Sequence, residues 1–342
     1  LGHTAHRFSI EWSRIEPEEG KFDEKEIEHY RKVIAALRAR GIEPFVTLWH
    51  WTQPIWIADI GGWENKKTVE YFRRYAEKII DKLGSEITFW LPINEPTIYT
   101  GHSYIIGVFP PQIKNYFRGN KVLKNLIKAH KVSYELIHMK LYGKAMVGVA
   151  HNLHYNVSYR KENLLDQLAV KILDYIRDRR SMKWTKNCED FIGINYYYRD
   201  TIKFSFGGRY ILIDIKNPNT EVSDLGWDIH PEGIYHILKS LKNSRKPIYI
   251  TENGLADAKN EKREKFIKEH LYWISKAIRE GADVRGYLYW SLLDNFEWDK
   301  GFWPRFGLVD VDRTTMERKI RKSAHAYAEI CKTNSLMPDS HS

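Results

Sequence analysis

Ile248-Tyr-Ile-Thr-Glu-Asn-Gly254 is an apolar run that reaches Glu252 and stops on an Asn-Gly pair. Ile248 to Thr251 reads as a buried parallel strand, and Asn253-Gly254 as the loop behind it. The same grammar recurs in Ile87-Thr-Phe-Trp-Leu-Pro-Ile-Asn-Glu-Pro96, which delivers Glu95 at its end. A lone strand-end Glu is ordinarily a cap or an ion-pair partner. Two of them suggest acid/base or nucleophilic work on something held between.

Working outward, the strand-then-helix unit repeats. His6–Trp12 is the first strand candidate, followed by a helix capped by Asp23, with Ile27, Tyr30, Ile34 and Leu37 at helical spacing and Gly41 at its end. Glu43–His50 leads to a helix carrying Val69, Phe72, Ala76, Ile79 and Leu83. The strand ending at Glu95 precedes a helix from Lys121 to Leu141. Ala145–Ala150 is followed by a helix over Leu164–Ile176, and Phe191–Tyr197 by an alternating stretch, Thr201–Ile215, that reads as a surface hairpin around Gly207-Gly208. Pro231 opens the next helix as its first residue. The Glu252 strand, a helix over Phe266–Ile278, the strand Val284–Ser291 and a helix over Lys319–Lys332 complete the chain.

Seven such units in unbroken order predict an α/β fold of the (β/α)8 TIM-barrel type with seven βα units present. An open doubly wound sheet is the alternative, but no Gly-rich phosphate loop follows the first strand. A barrel gathers every strand C-terminus at one face, where barrel enzymes keep their active sites. The residues brought there are Arg7 to Trp12, His50, Asn94 with Glu95, Asn195 with Tyr197, Glu252, and Trp290 with Glu297 soon after. Singly, a strand-end His, Arg or Trp is a satisfied structural residue; together they form a polar, aromatic ring.

At 342 residues and 43% apolar, the chain can bury one barrel-sized core, read as a single domain over 1–342 with the hairpin inserted at about 201–216. Cys188 and Cys331 lie far apart without metal-like spacing, so neither a disulfide framework nor a zinc site is expected, and no cofactor is implied. The net charge of +10 is spread over helix faces beside many Glu residues, which argues against nucleic acid. The densest cluster, Arg318 to Lys322, is read as the solvated start of the last helix. No apolar run of about 18 residues and no signal peptide is found, so a cytoplasmic protein without membrane contact is expected. Twelve Trp and 21 Tyr exceed what such a core needs. Flat aromatic faces beside polar groups suit pyranose rings.

Six motifs in order make the chain resemble the family 1 glycoside hydrolases, the retaining β-glucosidase and β-galactosidase group: Arg7-Phe-Ser-Ile-Glu-Trp-Ser-Arg14, Leu48-Trp-His-Trp51, Asn94-Glu-Pro96, Asn195-Tyr-Tyr197, Thr251-Glu-Asn-Gly254 and Asp294-Asn-Phe-Glu-Trp298. The resemblance implies Glu252 as nucleophile and Glu95 as acid/base, with carboxyl groups about 5–5.5 Å apart in such enzymes, and Arg7 and Tyr197 supporting the nucleophile. It also implies sugar contacts from His50, Trp51, Asn94, Asn195, Trp290, Glu297 and Trp298. Relatives that cleave 6-phosphorylated sugars resemble one another in carrying Ser and basic residues where this chain has Glu297 and Trp298, so an unphosphorylated β-glycoside or oligosaccharide is the expected partner. The choice among β-glucoside, β-galactoside and β-fucoside stays open. Thioglucosidase relatives resemble one another in a Gln at the position of Glu95.

The family pattern starts with a strand and helix that precede the match at Arg7. The resemblance therefore implies an incomplete barrel with open edges, which a second copy would cover. A catalytically silent carbohydrate-binding relative is the alternative reading.

Overall fold

The computed structural model describes residues 1–205 and 219–336, together with the strand backbone of 212–214. Twelve strands occur among these residues. They are β1 (Ala5–Ser9), β2 (Glu43–Thr47), β3 (Phe89–Leu91), β4 (Met146–Asn152), β5 (Tyr155–Ser158), β6 (Phe191–Asn195), β7 (Arg199–Phe204), β8 (Leu212–Asp214), β9 (Ile248–Asn253), β10 (Val284–Tyr289), β11 (Val309–Val311) and β12 (Arg318–Ile320). Seven form one sheet in the order β1-β2-β3-β4-β6-β9-β10, the expected seven. The chain divides into two compact units, described in turn: Thr4–Asn152 with Arg180–Gly193, and Leu1–His3, Leu153–Arg179 and Ile194–Ser342.

In the unit built on Thr4–Asn152, β1, β2, β3 and β4 pair in parallel, each with the next. Asp23 caps the helix Glu24–Arg38, its carboxylate accepting from the backbone N–H of Lys25 and Glu26. The helix Lys67–Leu83 buries Val69, Phe72, Ala76, Ile79 and Leu83, the stripe read from the sequence. Trp12 stacks on Tyr75 at 5.3 Å between ring centroids. The Tyr75 hydroxyl donates to the carbonyls of Ile10 and Leu48, so a fully buried phenol joins the ends of the first two strands. Two boundaries differ from expectation. Trp12 starts a helical turn, Trp12–Ile15, capped by Glu11, because β1 ends at Ser9. The long helix runs over Tyr116–Lys140 and starts five residues before the expected Lys121, since Asn115 caps it through the Arg118 N–H.

In the other unit, β9 and β10 pair in parallel. Leu255, Phe266, Ile267, Leu308, Ala324 and Tyr327 form a core against the helix Arg263–Arg279. The expected hairpin is present as antiparallel β7 and β8, while its turn at Gly207-Gly208 lies outside the described residues. β7 also pairs in parallel with β5, a four-residue strand too short to show a period. The helix Leu164–Leu173 gives way to a wider turn over Asp174–Arg179, near the expected end at Ile176. Pro231 stands one residue ahead of its helix, Glu232–Leu241.

The basic cluster is a correction. Arg318–Ile320 is β12, antiparallel to β11, and the last helix is Lys322–Thr333. Arg321 turns inward, its guanidinium reaching the buried Asp294 carboxylate at 2.9 and 3.0 Å. The sequence shows a run of charge, but the acids that claim Arg321, Asp294 and Asp310, lie 27 and 11 residues away.

Each unit also buries a neutral imidazole. His130 Nε2 lies 2.6 Å from the Cys188 carbonyl, and His270 Nδ1 lies 2.7 Å from that of Phe266. Burial holds them down at about 4 and about 3, from an ordinary 6.5. The neutral forms belong to the fold, so their contribution is complete above pH 6.5 and is lost as the pH falls below it, where the unfolded chain takes up protons first. The melting temperature is expected to fall between about pH 7 and pH 4, with a shallower slope in His130→Gln. An unchanged slope in that variant would remove His130 from the account.

Candidate active site

The candidate residues stand just past the strand ends, and the backbone ladder follows them there. The Asn94 N–H donates to the Trp49 carbonyl and that of Glu95 to the Ala150 carbonyl, so β3 stays tied on both sides after its last regular residue. Glu95 must turn at once, because Pro96 opens the helix Pro96–Thr100 and disfavours a right-handed helical residue before it. It takes φ 40°, in the left-handed region that costs a non-glycine residue roughly 1–2 kcal/mol. Glu95 is 3% exposed, and Asn152 Nδ2 at the end of β4 donates to its Oε1 at 2.9 Å.

Arg7 on β1 donates to Asn94 Oδ1 at 2.5 Å and to Thr47 Oγ1 at 3.1 Å. That bond fixes which way the amide faces. Asn94 Nδ2 is left buried with no hydrogen-bond partner among the described residues. An orphaned donor of this kind is costly unless something absent from the folded chain accepts from it. Trp51, at φ 75°, donates its indole N–H to the Asn94 carbonyl at 3.1 Å, so that edge supports the loop and its ring face is what it can offer. His50 Nδ1 lies 3.4 Å from Ser9 Oγ. Burial, and then the Arg7 charge, hold His50 well below the usual imidazole range, so it is a neutral hydrogen-bonding ring.

In the other unit, Glu252 is 4% exposed on β9, and the Tyr197 hydroxyl donates to Oε2 at 2.5 Å. A phenol so placed both orients the carboxylate and favours its ionised form. The Tyr196 N–H donates to the Glu252 carbonyl, which carries Tyr197 into position. Asn195 accepts from Thr251 Oγ1 at 2.6 Å, joining β6 to β9 by side chains on the residues beside the site. Asn253 is strapped twice, accepting from Tyr287 and donating to the Tyr196 carbonyl. The glycine of the Asn-Gly pair has a steric reason: a Cβ at 254 would fall 1.8 Å from the Trp290 carbonyl oxygen. Trp290 is held from the other direction, its N–H donating to the Asn253 carbonyl.

Glu297 sits on the loop that follows β10, which Asp294 anchors through Arg321 and the Gly307 N–H. Asn295 Nδ2 donates to Glu297 Oε2 at 3.2 Å, and the Trp290 side chain also bonds it. Burial pushes Glu297 up to about 7, the nearby Glu252 charge adds to the rise, and the two hydrogen bonds oppose it. Trp298 follows at φ 51°, opening the turn Trp298–Lys300. Three of the sequence-derived site residues, Trp51, Glu95 and Trp298, therefore hold the left-handed conformation, where strain tends to collect at functional positions.

Asn152 was missed by the sequence reading. The signal was present, since Met146-Val-Gly-Val-Ala-His-Asn152 ends on polar residues as the other strands do, but no motif marks it. Among the described residues, no group of three His, Cys, Asp or Glu is placed to hold a metal ion, and no helix is long and apolar enough to cross a membrane.

The model of glycosyl hydrolase family 1 matches residues 1–176 and 171–336. The chain belongs to glycosyl hydrolase family 1. This family 1 chain is similar to the β-glycosidase from Pyrococcus horikoshii, at 36% identity and a TM-score of 0.92 over 98% of this chain and 82% of that one. β-Glucosidase A of Thermotoga maritima is 31% identical, covering 98% of this chain and 84% of its own length. Galactolipid galactosyltransferase SFR2 of Arabidopsis thaliana is 32% identical over 98% of this chain and 56% of its own. The family read from six motifs is thus borne out, and with it a TIM-barrel-type α/β fold, seven units of which are in this chain. The chain is a glycoside hydrolase of the β-glucosidase-like kind.

Two outcomes are expected of this family 1 hydrolase. Gly254→Ala should cost roughly 1–3 kcal/mol of stability, since Trp290 or β9 must shift to admit the methyl; denaturant unfolding measures it. Glu297 keeps a proton in the folded chain that the unfolded chain releases near 4.5, so its contribution to stability is present below that pH and lost as the pH rises through about 7. Glu297→Gln should therefore raise the melting temperature near pH 8 and leave it unchanged near pH 4. Equal shifts at both would show that burial of the charge is not the cause.

Proposed function

We propose that this chain hydrolyses terminal, unphosphorylated β-D-glycosides by double displacement through a covalent glycosyl-enzyme. The observation that carries the reading is the matched setting of two nearly fully buried strand-end carboxylates, Glu252 under the Tyr197 hydroxyl and Glu95 under the Asn152 amide.

The Glu252 carboxylate, held at Oε2 by the Tyr197 hydroxyl, attacks the anomeric carbon. The bond to the aglycone oxygen breaks, and that oxygen takes the proton of Glu95. A water then attacks the same carbon, Glu95 receives its proton, and Glu252 leaves as a carboxylate, so configuration is retained. The nucleophile needs a stabilised anion, and Tyr197 supplies a short bond to it. Glu95 must gain and lose a proton in one cycle; the uncharged Asn152 donor orients it without locking it in one state.

Asn94 Nδ2 fits the 2-hydroxyl of the sugar, whose oxygen would satisfy the orphaned donor. His50 and Asn195 supply further polar contacts and Trp290 and Trp51 flat faces, with Trp298 beside Glu297. Glu297 accepts from distal hydroxyls, and its carboxylate would repel a phosphate there. Hydrolysis is favoured over transfer as the second step because water needs no built acceptor site. Glucose, galactose and fucose configurations all remain within the reading.

Release of nitrophenol from a panel of aryl β-glycosides tests it. Turnover is expected, abolished in Glu252→Ala and restored by azide with an inverted glycosyl azide as product. Tyr197→Phe should lower kcat/KM by roughly ten- to a hundred-fold, the worth of one hydrogen bond to a charged group. KM should rise as the pH falls through about 7, where Glu297 takes up its proton, and this limb should vanish in Glu297→Gln. A folded chain that turns over none of the sugars would leave the carbohydrate-binding reading in place.

A further inference from the structure

We infer that the helix Leu164–Leu173 is a docking face for an anionic lipid surface, reached without any membrane-spanning segment. A surface helix ordinarily turns its apolar stripe to the core and its charges to water. This one is inverted. Asp166 is fully buried, taken up by Arg160 at 2.7 and 2.9 Å and by the Phe204 N–H, and Ala169 is buried beside it. Leu164, Leu165, Leu168 and Ile172 point outward, exposed by 78, 43, 52 and 42%. At about 100° per residue these four fall within an arc of about 100°. Tyr159 and Tyr175, each about half exposed, flank the patch in sequence.

The occupant follows from the charges around this patch. The acids of the segment are largely turned inward: Asp166 to Arg160, Asp178 to His154, and Asp174 to Asn156. The cations remain outside. Lys161 and Lys171 are exposed on the same segment, and Lys203 Nζ lies 5.4 Å from the Tyr159 ring centroid. Glu162 is the exposed acid among them. Aliphatic side chains between amphipathic tyrosines and lysines match the interface of a bilayer, where lysine stems lie along apolar surface and their ammonium groups meet headgroup phosphates. A second copy of the chain would bring two faces of the same net sign together, which disfavours self-association. The sequence expectation of no membrane contact rested on the lack of a long apolar run, and a helix lying in the interface needs none.

Flotation of the full chain with phosphatidylcholine vesicles, with and without phosphatidylglycerol, tests the inference. Binding is expected to the anionic vesicles, weakening as salt is raised. Leu168→Glu with Ile172→Glu should reduce partitioning by roughly tenfold or more, with an unchanged melting curve because both side chains point outward. Lys161→Glu with Lys171→Glu should remove the preference for anionic vesicles. Failure of the intact chain to float with anionic vesicles would overturn the inference, as would flotation unaffected by the paired glutamates. Size-exclusion chromatography showing a dimer that the glutamates dissolve, without vesicle binding, would overturn it in favour of a second copy.

Discussion

The parallel ladder does not stop where the strands lose their regular geometry, and the candidate site depends on that persistence. Asn94 and Glu95 are tied through their own N–H groups to Trp49 and Ala150, Tyr196 to Glu252, and Trp290 to Asn253. A loop residue positioned by its side chain alone would wander by more than a catalytic geometry tolerates. Here the backbone is pinned within one residue of Glu95, Tyr197, Glu252 and Trp290. Left-handed turns then become affordable at Trp51, Glu95 and Trp298, because the surrounding bonds over-determine them.

Around that frame the site carries costs that a purely structural region would shed. Asn94 keeps an orphaned donor, and Glu297 keeps a carboxylate that burial has pushed into the neutral range. Both sit beside groups that make their orientation unambiguous: Arg7 for the amide, Asn295 and Trp290 for the carboxylate. Unmet polarity with fixed direction is what a polyhydroxylated ligand can satisfy.

Much of this was legible in the sequence because apolar runs ending on Glu95, Glu252, His50 and Trp290 are local signals. Their recurrence with helical stripes such as Val69 to Leu83 gives the order of elements without any tertiary information. What stayed hidden was long-range or very short. Asn152 takes its meaning from Glu95, 57 residues earlier, and Arg321 from Asp294. β5 and β12 have four and three residues, fewer than a period needs to declare itself. The outward leucines of Leu164–Leu173 do have helical spacing, but spacing alone does not say which side faces water.

The contact of Gly254 with the Trp290 carbonyl also bears on how such a site can change. Position 254 follows β9, which carries Glu252, and position 290 carries an indole, and no side chain can be added at the first without displacing the second. The two parts of the site are thus mechanically geared. A library that varies residue 254 alone will return mostly destabilised proteins. On the proposed function, His50 and Glu297 are the positions where sugar preference is open to change, since neither is among the atoms that a side chain at 254 would meet.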